Sequence, residues 1–169
     1  MGAEQSYNFR RINASLTTSG VVGEDNLKAL GAEGYALVIN LLPDDSEYAV
    51  PGESEILRGQ GIDYIHIPVD FGNPTMADFH EFAAALDGAG AGKVHIHCAA
   101  NYRVSAFYSS YARIKGTMSE DKASELIGSL WDPAENHPWQ AFIRDVVDGR
   151  DGESAPARDK PVRDKIDDA

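Results

Sequence analysis

The chain reads as an α/β domain: a small, mostly parallel central sheet flanked by helices, with a helical C-terminal layer. Three observations point there. Short β-branched apolar runs alternate with helix-period segments as far as His97. The run Tyr35 to Leu42 is nearly continuously apolar, as a strand buried on both faces must be. Beyond His97 only helical patterns follow, which stacks helices against one side of a finished sheet.

Taken in order, Tyr7 to Ile12 is the first strand, and Leu16 to Gly20, rich in hydroxyls, reads as a loop. Glu24 to Glu33 is a short helix with Leu27 and Leu30 on one face and Gly31 and Gly34 near its end. Pro43 stops the Tyr35–Leu42 strand. Pro51 and Gly52 open a helix that runs to Gly59 and carries Ile56 and Leu57 inward, and Asp63 to Val69 is the next strand. Thr75 caps a helix reaching Asp87, with Met76, Phe79, Phe82, Ala83 and Leu86 at helical spacing. A glycine-rich link leads to the strand Lys93 to His97, and helices follow at Val104–Lys115, Ser119–Trp131 and Pro138–Val147. Residues 1–147 form one domain. From 148 to 169 apolar residues nearly vanish among mixed charges, glycine and proline, the composition of a disordered tail.

The chain carries 27 acidic and 15 basic residues for a formal charge of −12. Such a surface repels phosphate backbones and anionic lipid, so neither nucleic acid nor membrane is expected as a partner. Nothing in the pattern fixes an oligomeric state. One cysteine cannot form an internal disulfide. No apolar run approaches the ~20 residues that span a bilayer, and Met1 to Gln5 does not open a leader peptide. The expected location is cytoplasmic.

The lone Cys98 stands in Lys93-Val94-His95-Ile96-His97-Cys98-Ala99-Ala100-Asn101-Tyr102-Arg103-Val104-Ser105. An apolar strand ends in His-Cys, an arginine follows after four residues, and a helix begins at once. In open α/β folds, ligands bind at the carboxyl ends of the strands, where Cys98 lies. The backbone N–H groups of Ala99, Ala100, Asn101 and Tyr102 can turn inward as an anion cradle, and the helix behind adds its positive end. A thiol in that field loses its proton more readily and becomes a nucleophile. Arg103, planar and always charged, can hold two oxygens of a phosphoryl group and stabilise its transition state. Ser105 is placed to donate to the leaving thiolate.

These residues resemble the protein tyrosine phosphatase superfamily, the compact dual-specificity branch in particular. His97 and Cys98 match its motif by type and position, and Ser105 stands where the family places its hydroxyl residue. Arg103 matches in type but arrives one residue early, in a Cys-x4-Arg loop. Asn101 takes the place of a family glycine and tolerates left-handed backbone. The order of elements follows the family over roughly Phe9–Gly116, and Val38-Ile39-Asn40-Leu41-Leu42-Pro43, Pro68-Val69-Asp70 and Asn101 to Phe107 resemble a bacterial group of phosphatase-like domains. The resemblance implies a cysteine-phosphatase-like fold and hydrolysis of phosphate monoesters through a phosphocysteine. It implies a phosphorylated protein or small molecule as partner and no cofactor, because arginine and loop amides replace a metal. It also points to Asp70, on the loop after the strand that precedes the cysteine strand, as general acid, with Asp78 the alternative although its helix face should look to solvent.

Two other readings stay open. Four residues between cysteine and arginine is the loop length of rhodanese-like sulfurtransferases, which would carry a Cys98 persulfide. A compressed loop can also bind an anion without turnover. His97 is expected to support the loop. His95 alternates onto the same face, but zinc needs more ligands than these elements offer. Tyr102 can shape the entrance or fill the loop. Trp131 and Trp139 pin the last two helices, Phe107, Tyr108 and Tyr111 pack in the core, and Arg10 and Arg11 serve the strand edge.

Overall fold

The structure is a computed structural model that describes residues 2–149, so the tail expected over 148–169 lies outside the described residues from 150 onward. Five strands form one sheet in the order β1-β2-β5-β3-β4: β1 (Arg10–Asn13), β2 (Leu16–Ser19), β3 (Tyr35–Asn40), β4 (Asp63–His66) and β5 (Lys93–His97). Only the β1–β2 pair is antiparallel; β2–β5, β5–β3 and β3–β4 are parallel. Helices α1 (Glu24–Ala29) and α2 (Glu53–Arg58) cover one face. The other face carries α3 (Met76–Asp87), α4 (Tyr102–Lys115) and α6 (His137–Asp148), with α5 (Glu120–Gly128) packed on α4. None of the helices among the described residues is long and apolar enough to cross a membrane.

Two expectations about the first hairpin are corrected. Leu16 to Ser19 is a strand, inserted beside β5, and not a loop. Its polar residues are buried because each hydroxyl has a partner. The Tyr35 hydroxyl meets Thr17 Oγ1 at 2.8 Å, and Thr17 Oγ1 meets His95 Nδ1 at 2.7 Å. On the other side of the ring, Ser19 Oγ lies 2.8 Å from His95 Nε2 and donates to Gly20 O at 2.8 Å. The Ser19 proton, given to Gly20 O, makes His95 Nε2 a donor, and because burial keeps the ring neutral its Nδ1 accepts from Thr17. The first strand starts at Arg10 and not Tyr7, because Asn8 takes a left-handed φ of 54° that ends extended pairing.

Burial holds the protonation of His95 well below the usual histidine range, with the neighbouring His97 adding to the effect. The unfolded chain therefore binds a proton that the folded one refuses. This contribution to stability is complete above pH about 6.5 and declines below it, by up to about 1.4 kcal/mol per pH unit. Urea unfolding at pH 7.0 and 5.5 is expected to show that loss in the wild type and to show less of it in His95→Gln. Equal losses in both proteins would remove the assignment.

The period of two along β5 separates the functional groups. Val94, Ile96 and Cys98 enter the cluster under α3, α4 and α6, whereas His95 and His97 turn to the α1–α2 side. On β3, Leu37 and Ile39 share the Cys98 side and Val38 the other; Tyr35 joins Val38 because the register shifts between Tyr35 and Leu37. Thr75 caps α3 as expected, its Oγ1 accepting from Asp78 N–H at 3.1 Å. Asp78 itself is buried, not solvent-facing, on the turn that also buries Phe79.

Helix α4 starts at Tyr102, two residues before the expected Val104. Asn101 caps it in the left-handed region at φ 70°, and its carbonyl accepts the first helical bond from Ser105 N–H at 3.0 Å. Trp131 and Trp139 meet edge to face at 5.9 Å between α5 and α6 and tie these helices as expected. Arg10 donates to Ser129 O at 3.0 Å and Arg11 pairs with Glu4, which are the anticipated structural roles.

Candidate active site

The carboxyl ends of β2, β3, β4 and β5 converge on the segment that follows Cys98. Its carbonyls point away from the centre and are held there. Ala99 O accepts from Val21 N–H at 3.0 Å, and Ala100 O accepts from Asn8 Nδ2 at 3.0 Å. The Asn101 amide returns the clasp by donating to Asn8 O at 2.9 Å and to Thr18 Oγ1 at 3.0 Å. Gly20 is obligatory for this closeness: a Cβ there would lie 2.3 Å from Ala99 O and 2.7 Å from Ala100 Cα. With the carbonyls so fixed, the N–H groups from Ala99 through Val104 find no acceptor among the described residues. Buried amides without partners are rare in native proteins. Free N–H groups in such a run are the donors from which an anion cradle can be built.

Arg103 projects from the first turn of α4 and is 2 % exposed. Its Nη1 donates to Val69 O at 2.9 Å, its guanidinium lies 5.5 Å from the Phe71 ring centre, and its Nε–H is buried without a partner. It makes no ion pair among the described residues. A buried charge left this way is costly, and an anionic ligand would relieve the cost. The structure thus brings Cys98, the Ala99–Tyr102 amides and Arg103 together in consecutive residues, with Arg103 in the helix and not in the loop.

The neighbouring segment carries the expected acid. Asp70 follows Val69, the residue bound by Arg103, and its Oδ1 accepts from Gly72 N–H at 2.9 Å. Phe71 is anchored on the far side, where Trp139 Nε1 donates to its carbonyl at 2.7 Å. Its ring packs against Tyr102, Trp131 and Trp139 with centroids 5.7–6.4 Å apart. Tyr102 stacks parallel on Trp131 at 4.9 Å and so forms part of the wall, not a free loop side chain.

Cys98, read from the sequence as a nucleophile at the carboxyl end of its strand, is 0 % exposed. The Val69–Phe71 segment is tied to Arg103 at Val69 O and to Trp139 at Phe71 O, and Val69 shares the buried cluster of Cys98. Ser105 was expected to point at the thiol. Its hydroxyl instead donates to Tyr102 O at 3.0 Å and accepts from Trp131 Nε1 at 3.1 Å, bracing α4 against the start of the α5–α6 connection.

His97 lies under the loop, on the face of the sheet opposite to the thiol, and donates from Nε2 to Glu53 Oε2 at 2.6 Å. Glu53 has no distinctive signal in the sequence, where it looks like any acidic residue in the first turn of a helix.

The family model for the phosphatase-like domain of beta-lactamase hydrolase-like proteins matches residues 8–113. A beta-lactamase hydrolase-like protein of Xylella fastidiosa strain Temecula1 is 32% identical over 118 residues, covering 68% of this chain and 27% of that protein. Another from Agrobacterium fabrum is 34% identical over 101 residues, covering 58% and 23%. The chain therefore spans about a quarter of the length of these curated relatives. Among solved structures, a DUF442 protein of Shewanella putrefaciens CN-32, described as a candidate phosphatase, superposes with a TM-score of 0.79 at 33% identity, covering 86% of this chain and 92% of that one. TpbA of P. aeruginosa, solved in complex with pTyr, shares the fold with a TM-score of 0.66 at 20% identity, covering 84% and 86%.

Proposed function

The chain belongs to the phosphatase-like domain family of beta-lactamase hydrolase-like proteins, and on that premise we propose that it is a cysteine-dependent phosphatase that hydrolyses phosphate monoesters through a phosphocysteine. One observation carries the reading: the amides from Ala99 to Val104 have no acceptor among the described residues and Arg103 Nε is a buried donor without one, all directly after Cys98 in a protein of net charge −12. A strongly acidic chain that keeps such a concentration of unpaired donors has a use for an oxyanion there.

Cys98 attacks phosphorus as the thiolate. Equatorial oxygens settle onto the loop amides and the Arg103 guanidinium, whose fixed donors meet the charge that develops in transfer. Asp70 protonates the departing oxygen, and water then cleaves the phosphocysteine. Cys98 is fully buried, and on this reading the Val69–Pro74 segment, held to Arg103 at Val69 O, is the element that lifts to admit substrate. Exposed Gly72 and Asn73 give that segment room to move. The substrate is a phosphorylated protein or small molecule.

Release of inorganic phosphate from an aryl phosphate, with rapid-quench capture of phosphate on the Cys98 peptide, tests the proposal; an inert wild type would end it. For the acid, Asp70→Asn is expected to lower kcat about a hundredfold on alkyl phosphates and only a few-fold on an activated nitrophenyl ester. A loss of equal size across the series of leaving groups would take the acid role from Asp70.

The Cys-x4-Arg spacing favours a second reading, sulfur transfer through a Cys98 persulfide. Incubation with thiosulfate separates the two: sulfur transfer leaves one extra sulfur atom on the Cys98 peptide by mass spectrometry, and phosphatase chemistry leaves none.

A further inference from the structure

Glu53 is 5 % exposed, a rare setting for a carboxylate. Its Oε2 meets His97 Nε2 at 2.6 Å, and its Oε1 receives only a long contact of 3.5 Å from Asn40 Nδ2. Glu53 also lines a cleft of about 530 Å³ with Asn40, Asp44, Pro51, Tyr64 and His66, at the same carboxyl edge of the sheet as Cys98. His97 is likewise buried, and its Nδ1 has no partner.

We propose that Glu53 is a positioning residue of the Cys98 site: its buried carboxylate holds His97 as an imidazolium beneath the loop, where the positive charge favours the thiolate. The proposal rests on Cys98 being the nucleophile. The 2.6 Å contact has the short geometry of a charge-assisted hydrogen bond and fixes the orientation of the ring beneath the loop. Without Glu53, a buried His97 would go neutral, as His95 does one turn of the pleat away.

The groups around the pair leave Glu53 as the deciding charge. His95, 6.2 Å away between ring centres on β5, is neutral, with both nitrogens committed. On β3, Asn40 is uncharged. On β4, Tyr64 receives Asn40 Nδ2 at 3.0 Å, and burial pushes its hydroxyl up to about 12, so it stays protonated. Asp44 and His66 stand on the outer wall of the cleft, where His66 Nε2 is occupied by Leu42 O at 2.7 Å. Across the strand lie Cys98 itself and Arg103.

Glu53→Gln is the test, because the amide oxygen still accepts from Nε2 while the charge is removed. The sole cysteine makes alkylation by iodoacetamide a single-site readout. The midpoint of its pH dependence is expected to rise by about one pH unit in Glu53→Gln. Hydrolysis of an aryl phosphate should lose about tenfold in kcat below the new midpoint, with KM within twofold, and recover as pH is raised past it. Coincident alkylation midpoints, or a kcat loss equal at every pH, would show a merely structural carboxylate and overturn the proposal. Should the variant fail to fold, nitrogen-15 NMR of histidine-labelled wild type decides: His97 protonated on both nitrogens at pH 7 upholds it, and a neutral ring overturns it. If wild type hydrolyses no aryl phosphate, the phosphatase reading falls, while the alkylation midpoints still decide the role of Glu53.

Discussion

Cys98→Ser is expected to lower turnover of an aryl phosphate by about ten-thousand-fold or more while phosphate still binds within a few-fold of wild type. The substitution changes one atom at the end of β5 and leaves Arg103 and the amides from Ala99 to Val104 where they are. On the proposed mechanism, oxyanion affinity belongs to those donors and bond-making to sulfur. Serine at this position has the shape but not the acidity. Calorimetric titration with phosphate, set beside steady-state hydrolysis, separates the two properties. Undiminished hydrolysis by the serine variant would remove the nucleophile, and loss of phosphate binding would mean that the thiol is part of the cradle.

Arg103→Lys is expected to cost about a thousandfold in kcat/KM, some 4 kcal/mol of transition-state stabilisation. Charge is retained, but the planar fork is not. In the wild type one arm, Nη1, holds Val69 O at 2.9 Å while Nε is left for a ligand. An ammonium group cannot serve both directions at once. The variant should therefore bind phosphate more weakly and also loosen the segment bearing Asp70. Faster alkylation of the buried Cys98 in Arg103→Lys would report that loosening. Activity within tenfold of wild type would contradict the role of the guanidinium.

Much of this architecture was legible in the sequence, for identifiable reasons. Tyr35–Asn40 and Lys93–His97 are apolar runs of strand length, and both are strands. The threonine cap before Met76 gives the start of α3 to the residue. The strand Leu16–Ser19 was hidden because its inward residues are hydroxyls, and their burial makes sense only once His95 stands opposite to bond them. A partner 76–78 positions away leaves no local trace. The start of α4 was misplaced for a related reason: Asn101 caps through backbone in the left-handed region, not through a side-chain oxygen, so the usual cap signature is missing. At the candidate site, spacing alone puts Cys98 and Arg103 at the carboxyl end of β5, whereas Asp70 was pointed to only by the family resemblance. The fate of the Ser105 hydroxyl could not be found, since it depends on Trp131 arriving from a distant turn. Glu53 was invisible because only tertiary packing distinguishes it from solvent-facing glutamates nearby.

The reciprocal amide clasp between Asn8 and the segment after Cys98 joins positions 92 and 93 apart along the chain. Contacts so far apart in sequence carry a high loop-closure cost. The carbonyls after Cys98 are therefore held by a hairpin that the local β5–α4 unit cannot supply. On the proposed function, an event that peels this hairpin from β5 is expected to abolish oxyanion binding while the helices behind keep their packing.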